Sequence, residues 1–478
     1  MGGVKVNGDS VKKSTTNVEK NVDEEGSEWP QIFAVFSAAL TSLSNSILYN
    51  WTSPTIPILV SSDEYPDIDI EQASYLTVIP PIVSILAAPI QGYLLDRFGR
   101  KITLLVAGTL QISAWLCVIF TKSLYIFYLS RVLFGFGNAA MFTVLPVYIS
   151  EVTTPKVRGR WGNLMAFFMY FGQFLANAIG YLFDIKTTAC IFISVPIIFI
   201  VLFSLCPETP YFYLLKDKSE SAENSLKKLR RLENVSREFA QLNTDLKRQL
   251  SEKGTYRDCI RIPSNRKAIL IVGMGRALQQ FTGISAFAAY NQYIFQEAGT
   301  SLDKGYSSMI YALSLSVCSF VGLMYIDKLG RKIPMVISCI CCFVVLGAET
   351  IYFYLKDYQD IPAMATLSWF PLFGMVSYVT TFSLGLNLIP ILLLSELFST
   401  SIRSKAGTII TMLSAVYMTS INKLFQVLLS TYGLMAPFAL FTVCAFTGVF
   451  LSYFFIPETK GKTLEEIQQM LKKNEKHT

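Results

Sequence analysis

The chain has 478 residues, of which 52% are hydrophobic and 16% charged, with a net charge of +7. Soluble domains carry about 25% charged residues, so this composition belongs in a bilayer. The single histidine, His477, lies beside the C-terminus, which excludes histidine catalysis, histidine metal sites and buried histidine proton relays.

Residues 1–30 are rich in Lys, Glu, Ser and Asn without an apolar core. They read as a disordered cytoplasmic tail and not as a cleavable signal. Apolar stretches near the ~20 residues of a spanning helix follow at 31–52, 73–95, 102–121, 124–148, 162–183 and 187–206, then at 268–297, 304–326, 333–355, 364–394, 405–430 and 434–456. The expected fold is all-α: a polytopic membrane protein of twelve transmembrane helices in two six-helix pseudo-repeats. Its domains are the tail, a bundle at 31–206, a cytoplasmic helical linker at 207–267, a second bundle at 268–456 and a cytoplasmic tail at 457–478.

If the N-terminal tail is inside, the even-numbered connections, the linker and both tails hold 34 of the 41 Lys and Arg. That bias places both termini in the cytoplasm, and a plasma-membrane location is expected. The positive net charge is topological, and no basic stripe suggests nucleic acid. In the linker, Leu226, Leu229 and Leu232 share a helical face among basic residues, as an amphipathic helix beneath a membrane domain does. Cys339, Cys341 and Cys342 fall within an apolar helix, where thiols pack. Asn50-Trp51-Thr52 is a glycosylation sequon at the predicted outer end of the first helix, whereas Asn234 is expected to be cytoplasmic.

Three charged signatures occur twice. Asp96-Arg97-Phe98-Gly99-Arg100-Lys101 recurs as Asp327-Lys328-Leu329-Gly330-Arg331-Lys332. Pro146, Glu151 and Arg158 recur as Pro390, Glu396 and Arg403, and Pro207-Glu208-Thr209 recurs as Pro457-Glu458-Thr459. A duplicated hydrophobic unit with charged loops at matching places fits a transporter whose halves rock about a midplane site. When the cytoplasmic side closes, Glu151, Arg158, Asp327, Arg331, Glu396 and Arg403 are expected to pair between the halves. Asp96, Arg100, Glu208, Glu458 and the intrahelical Arg131 complete the candidate gating set.

These motifs, with Gln279-Gln280-Phe281-Thr282-Gly283-Ile284 and the terminal Pro457-Glu458-Thr459-Lys460-Gly461-Lys462-Thr463-Leu464-Glu465-Glu466, resemble the sugar porter family of the major facilitator superfamily. The resemblance runs from about residue 30 to 467 and is most like the insect facilitated trehalose transporters, on the run of the first two helices including Tyr49 to Pro54. It implies a central cavity, alternating access and a small-molecule sugar as cargo, trehalose or a hexose such as glucose. The expected partners are that sugar and the bilayer. No nucleic acid and no cofactor are implied, and the oligomeric state stays open. No nucleophile-base pair, phosphate loop or metal cluster suggests an enzyme.

Sugar binding needs amides and hydroxyls, with an aromatic face for the ring. Gln279 and Tyr290, like Gln280 and Asn291, are eleven residues apart, almost three whole turns, so each pair is expected to share a face. Gln173 with Asn177, and Thr380 and Ser383 with Asn387, form shorter polar stripes. Compared with the family pattern, Ala166 stands for a Gln, Ser285 for an Asn, Ala289 for a Tyr, Ser414 for an Asn and Ile391 for the stacking Trp, and Tyr211 loses a gate cation. Ser285 is retained with Gln279, Gln280, Tyr290, Asn291, Gln173 and Asn387 as the candidate binding set. Leu48 occupies the place where proton-linked relatives carry an Asp, which favours facilitated diffusion. A proton-coupled symporter and a non-transporting sugar sensor are the alternatives, and Glu349 is an unexplained acid in the ninth helix.

Overall fold

The computed structural model describes residues 26–61, 68–162, 164–251, 255–358, 366–460 and a few positions up to Met470. The tail at 1–25, the acidic loop at 62–67, His477 and the side chain of Asp327 lie outside the described residues.

The first half begins with α1 (Trp29–Asn50) and α2 (Thr52–Ser61), followed by α3 (Ile70–Phe98) and α4 (Arg100–Phe120). Next come α5 (Leu124–Thr143), α6 (Leu145–Val152) and the short α7 (Pro155–Trp161). It ends with α8 (Leu164–Leu182), α9 (Ile185–Phe192) and α10 (Ser194–Ser204). The linker folds as α11 (Pro210–Leu215), α12 (Ser219–Arg230), α13 (Ser236–Ser251) and α14 (Tyr256–Arg261). The second half comprises α15 (Pro263–Phe281), α16 (Ile284–Ala298), α17 (Lys304–Leu329), α18 (Lys332–Tyr358), α19 (Phe370–Leu384), α20 (Ile389–Leu397), α21 (Thr400–Tyr432) and α22 (Met435–Phe455).

Twelve spans result, because α1–α2, α5–α6, α9–α10, α15–α16 and α19–α20 each cross as an interrupted pair. Among the described residues, eleven stretches are individually long and apolar enough to cross a bilayer. The seventh span falls short because Arg276, Gln279 and Gln280 dilute its hydropathy and because it breaks at Gly283. That glycine has φ +102°, and a Cβ there would lie 2.6 Å from the Phe441 ring. Spans one, four and ten break at Trp51, Val144 and Gly385–Leu388, near Pro54, Pro146 and Pro390. Span six has a lesser interruption at Ile193. Discontinuous helices free backbone groups where a cavity can use them.

Each half packs its own core. In the first, Trp51 meets Trp115 and Phe127 edge-on; in the second, Phe287 is surrounded by Tyr378, Phe438 and Phe441. Leu86, Val201, Phe320, Val344, Val443 and Phe450 are exposed, as lipid-facing residues are. Lipid removes the hydrophobic drive between helices, so close fit and polar ties hold them together. On α8, Gly172 lies against α1, where a Cβ would come within 2.8 Å of the Leu43 carbonyl. Ser42 and Ser46 of α1 donate across the same contact to the Met165 and Met169 carbonyls.

Leu226 and Leu229 of α12 are fully buried, and α12 packs on α1. Arg230 donates to the Val152 carbonyl at 3.0 Å and pairs with Glu238 at 2.8 Å. The linker is thus tied to the first half through α12, while α14 packs on α15 and α21 of the second.

Candidate substrate cavity and its gates

The duplicated charges build one clamp twice, each within its own half. Arg100 pairs with Glu151 at 2.8 Å, and 231 and 245 positions later Arg331 pairs with Glu396 at 2.8 Å. Glu208 accepts the Lys101 amide at 2.9 Å, and Glu458 accepts those of Arg331 and Lys332 at 2.9 and 3.1 Å. These carboxylates dock over Gly99 and Gly330, both at positive φ, where a Cβ would sit 2.2 and 2.7 Å from the carboxylate oxygen. Arg158 caps the Thr153 carbonyl and Arg403 the Phe398 carbonyl at the same offset. Burial pushes the Glu208 carboxyl up despite the Thr209 and Lys101 amides. At Glu458 burial acts the same way but is outweighed by the amides of Lys460, Lys332 and Arg331 and by the Arg331 charge, leaving the carboxyl below its usual value. Asp96 is exposed.

Pairing between the halves is expected when the cytoplasmic side closes; here these charges pair within each half. The reason is the state of the molecule. At the basic-loop end, α6 packs on α1, α4 and α5 of its own half and on α11 of the linker, and α20 packs on α15 and α21 of its own half. At the other end α2 packs on α16, while α3 packs on α21 and α8 on α17 along the sides. Ile56 and Ala73 of the first half are buried in the core of the second.

Hydrogen bonds seal that closed end. Ser53 donates to Asn177 at 2.7 Å and receives the Gln292 amide, and the Gln292 side chain donates to the Asn177 carbonyl at 3.3 Å. Tyr290 and Thr77 join their hydroxyls at 3.3 Å, and Lys423 reaches Glu71 at 3.5 Å. Tyr290 stacks near Phe425 and has non-helical angles (φ −114°, ψ 17°). Together with the break at Gly283, this separates Tyr290 and Asn291 from the face of Gln279 and Gln280. The eleven-residue argument holds only for a continuous helix. Asn291 instead turns to the Ser308 carbonyl of α17 at 3.5 Å.

Below the seal a polar belt joins the halves. Tyr170 of α8 donates to Asn387 Oδ1 at 2.8 Å, the Asn387 amide donates to Ser319 at 2.9 Å, and Gln279 Nε2 donates to the Asn387 carbonyl at 2.9 Å. Arg276 donates through Nη1 to Gln279 Oε1 at 2.7 Å. Asn387 lies in the unwound stretch between α19 and α20, where its carbonyl is free to serve as an acceptor. Gln173 Nε2, Gln280 Oε1 and Ser285 Oγ are buried without a hydrogen-bond partner. Thr380, by contrast, is exposed and bonds its own helix at Val376, and Ser414 likewise bonds Ile410. Tyr170, Arg276 and Ser319 join the belt without having been singled out from the sequence. An arginine three residues before Gln279 in an apolar run was the signal available.

Arg131 is fully buried in the first half. It donates to the Leu48 carbonyl at 2.5 Å and lies 4.3 Å over the Trp51 ring, so it braces the break between α1 and α2 and lies away from the charge clamps. Asn50 is also corrected: it is 3% exposed and donates to the Ser46 carbonyl at 2.9 Å. Its amide is sealed inside the bundle, where no glycan fits. Cys339 and Cys342 are buried and reach the hydroxyls of Ser452 and Thr381.

The sugar (and other) transporter family matches residues 32–471. The chain belongs to that family. Facilitated trehalose transporter Tret1 of Bombyx mori is 30% identical over 448 residues, covering 93% of this chain and 87% of the relative. Trehalose transporter 1 of Drosophila melanogaster is also 30% identical, but the chain spans about half of it, 52%. Among solved structures, the partially occluded inward-open xylose transporter XylE from E. coli has a TM-score of 0.72 at 20% identity, covering 90% of this chain and 99% of that one. The inward-open XylE gives 0.72 at 22% identity, covering 92% and 98%. At these identities the likeness to XylE establishes the fold: this member of the sugar transporter family is a multi-pass membrane protein of the major facilitator type.

Proposed function

We propose that this family member is a facilitative uniporter that carries a sugar, trehalose or a hexose such as glucose, by alternating access across a plasma membrane, with both termini in the cytoplasm. The carrying observation is the Tyr170–Asn387 hydrogen bond at 2.8 Å. It joins the halves beneath the closed end, in a belt whose Gln173, Gln280 and Ser285 atoms lack partners. Buried polar atoms rarely stay unpaired, and sugar hydroxyls supply both donors and acceptors. On this reading the structure is the inward-facing state. Return to the outward-facing state requires breaking the Ser53, Asn177, Gln292, Thr77 and Tyr290 contacts and bringing α6 toward α20.

Uniport is supported by Arg131, whose partner is the Leu48 carbonyl where a proton-coupled cavity needs a titratable carboxylate. Neither α1 nor α2 contains an Asp or Glu. One observation favours proton coupling instead: Glu349 is buried with both carboxylate oxygens unpartnered.

Vesicles carrying the purified protein test both readings. Labelled trehalose and glucose should equilibrate and exchange, and an imposed pH gradient at equal sugar concentration should drive no accumulation. Accumulation that disappears in Glu349→Gln would replace uniport with symport.

A further inference from the structure

Arg276 puts a positive charge where a neutral sugar needs none. It lies on α15 one turn toward the open end from Gln279, next to Gly275, whose Cβ position would be 3.4 Å from Pro390 of α20. Its Nη1 holds Gln279 Oε1 at 2.7 Å, its Nε is buried without a partner, and no carboxylate pairs with it among the described residues. A chain of hydrogen bonds runs from it through Gln279 and Asn387 to Tyr170 of the opposite half. The guanidinium thus belongs to the same belt as the Tyr170–Asn387 hydrogen bond that joins the halves.

An arginine in a membrane interior is costly unless it is paired or lines water, and it stays charged. Each other cation of the spans and clamps has a place. Arg100 and Arg331 hold glutamates, Lys423 faces Glu71, and Arg131 is spread over a ring and a carbonyl. Arg100 and Arg131 also keep buried N–H groups without partners, but Arg100 holds a carboxylate and Arg131 lies over the Trp51 ring inside the first half, whereas Arg276 holds the neutral Gln279 amide of the belt between the halves. Its planar fork suits an oxyanion.

We propose that the central site takes a sugar bearing an anionic substituent, a carboxylate or a phosphate, with Arg276 as its counter-charge. The inference rests on the reading of the central cavity as the sugar site. The sugar hydroxyls meet Gln280, Gln173 and the Asn387–Gln279–Tyr170 belt, and the anionic oxygen accepts from the guanidinium. The cation also offsets the lost ring stacking at Ile391 and the lost amides at Ala166 and Ser285. Carrying such a cargo without a proton moves one or more negative charges per cycle, so transport is electrogenic.

The full-length protein in vesicles is offered labelled D-glucuronate, D-glucose 6-phosphate, D-glucose and trehalose, with uptake and membrane current recorded. At least one of the two anions should be carried about tenfold more efficiently than glucose, a single charge-assisted contact's worth of preference, with a current that reverses with the imposed potential. Arg276→Gln should lower the ratio of anionic to neutral uptake about tenfold, and Arg276→Lys should restore part of it. The two anion arms separate a carboxylate from a phosphate. Neutral sugar carried without current while both anions neither move nor compete overturns the proposal and leaves sugar transport standing. A ratio unchanged in a well-folded Arg276→Gln also overturns it. No uptake and no binding of any of the four brings down the cavity reading and this inference together.

Discussion

Tyr170 donates a hydrogen bond to Asn387 at 2.8 Å across the boundary between the two halves. Removing only the hydroxyl, as in Tyr170→Phe, should cost the state seen here about 1 kcal/mol, a population shift of about fivefold. Spin labels at the outer ends of α2 and α16 should report a larger share of separated distances. An unchanged distribution would mean that the bond persists in, or is replaced by an equal one in, the opposite state.

Gln280 and Gln279 should respond differently to truncation. Gln280 Oε1 has no partner in the protein, so Gln280→Ala should weaken sugar binding by about 1–2 kcal/mol with little loss of stability. Gln279 also holds Asn387 and Arg276, so Gln279→Ala should lower both binding and the melting temperature. Calorimetry and thermal unfolding in the same detergent separate the two. Unchanged binding in both variants would remove α15 from the site.

Glu458 gives a pH signature. Its folded pKa is below the ordinary 4.5, so its stabilising contribution is present above the unfolded value and is lost as the pH falls through the folded one. Glu458→Gln should unfold at lower temperature than the wild type near neutrality, by about 1–2 kcal/mol of lost hydrogen bonding. The gap should close as the pH drops below the usual carboxylate range. A gap that widens in acid would contradict the clamp.

Glu349 fits against Gly374 so closely that a Cβ there would lie 1.6 Å from the carboxylate. Gly374→Ala should therefore destabilise the second half by about 1–3 kcal/mol through overpacking. In a Glu349→Ala background the penalty should largely vanish, a coupling that a double-mutant cycle reads directly. Additive effects would show that the two residues do not meet.

Much of the molecule was legible in one dimension. Apolar length is a local property, so the spans could be counted along the chain, and the one that composition alone undervalues, α15–α16, contains Gln279 and Gln280. Charge bias and repetition are also linear, so Arg100 with Arg331, Glu151 with Glu396 and Glu208 with Glu458 emerged as equivalent sets. What the sequence could not determine was partnership. A side chain's partner depends on which helix stands beside it at the same depth, and packing between distant segments sets that. Tertiary structure therefore decided that the clamps close within halves, that Asn50 points inward and that Tyr170 meets Asn387. It also decided that the break at Gly283 sends Tyr290 to the closed end and leaves Gln279 in the belt beside Arg276, because helical periodicity carries no information across a residue that has left the helix.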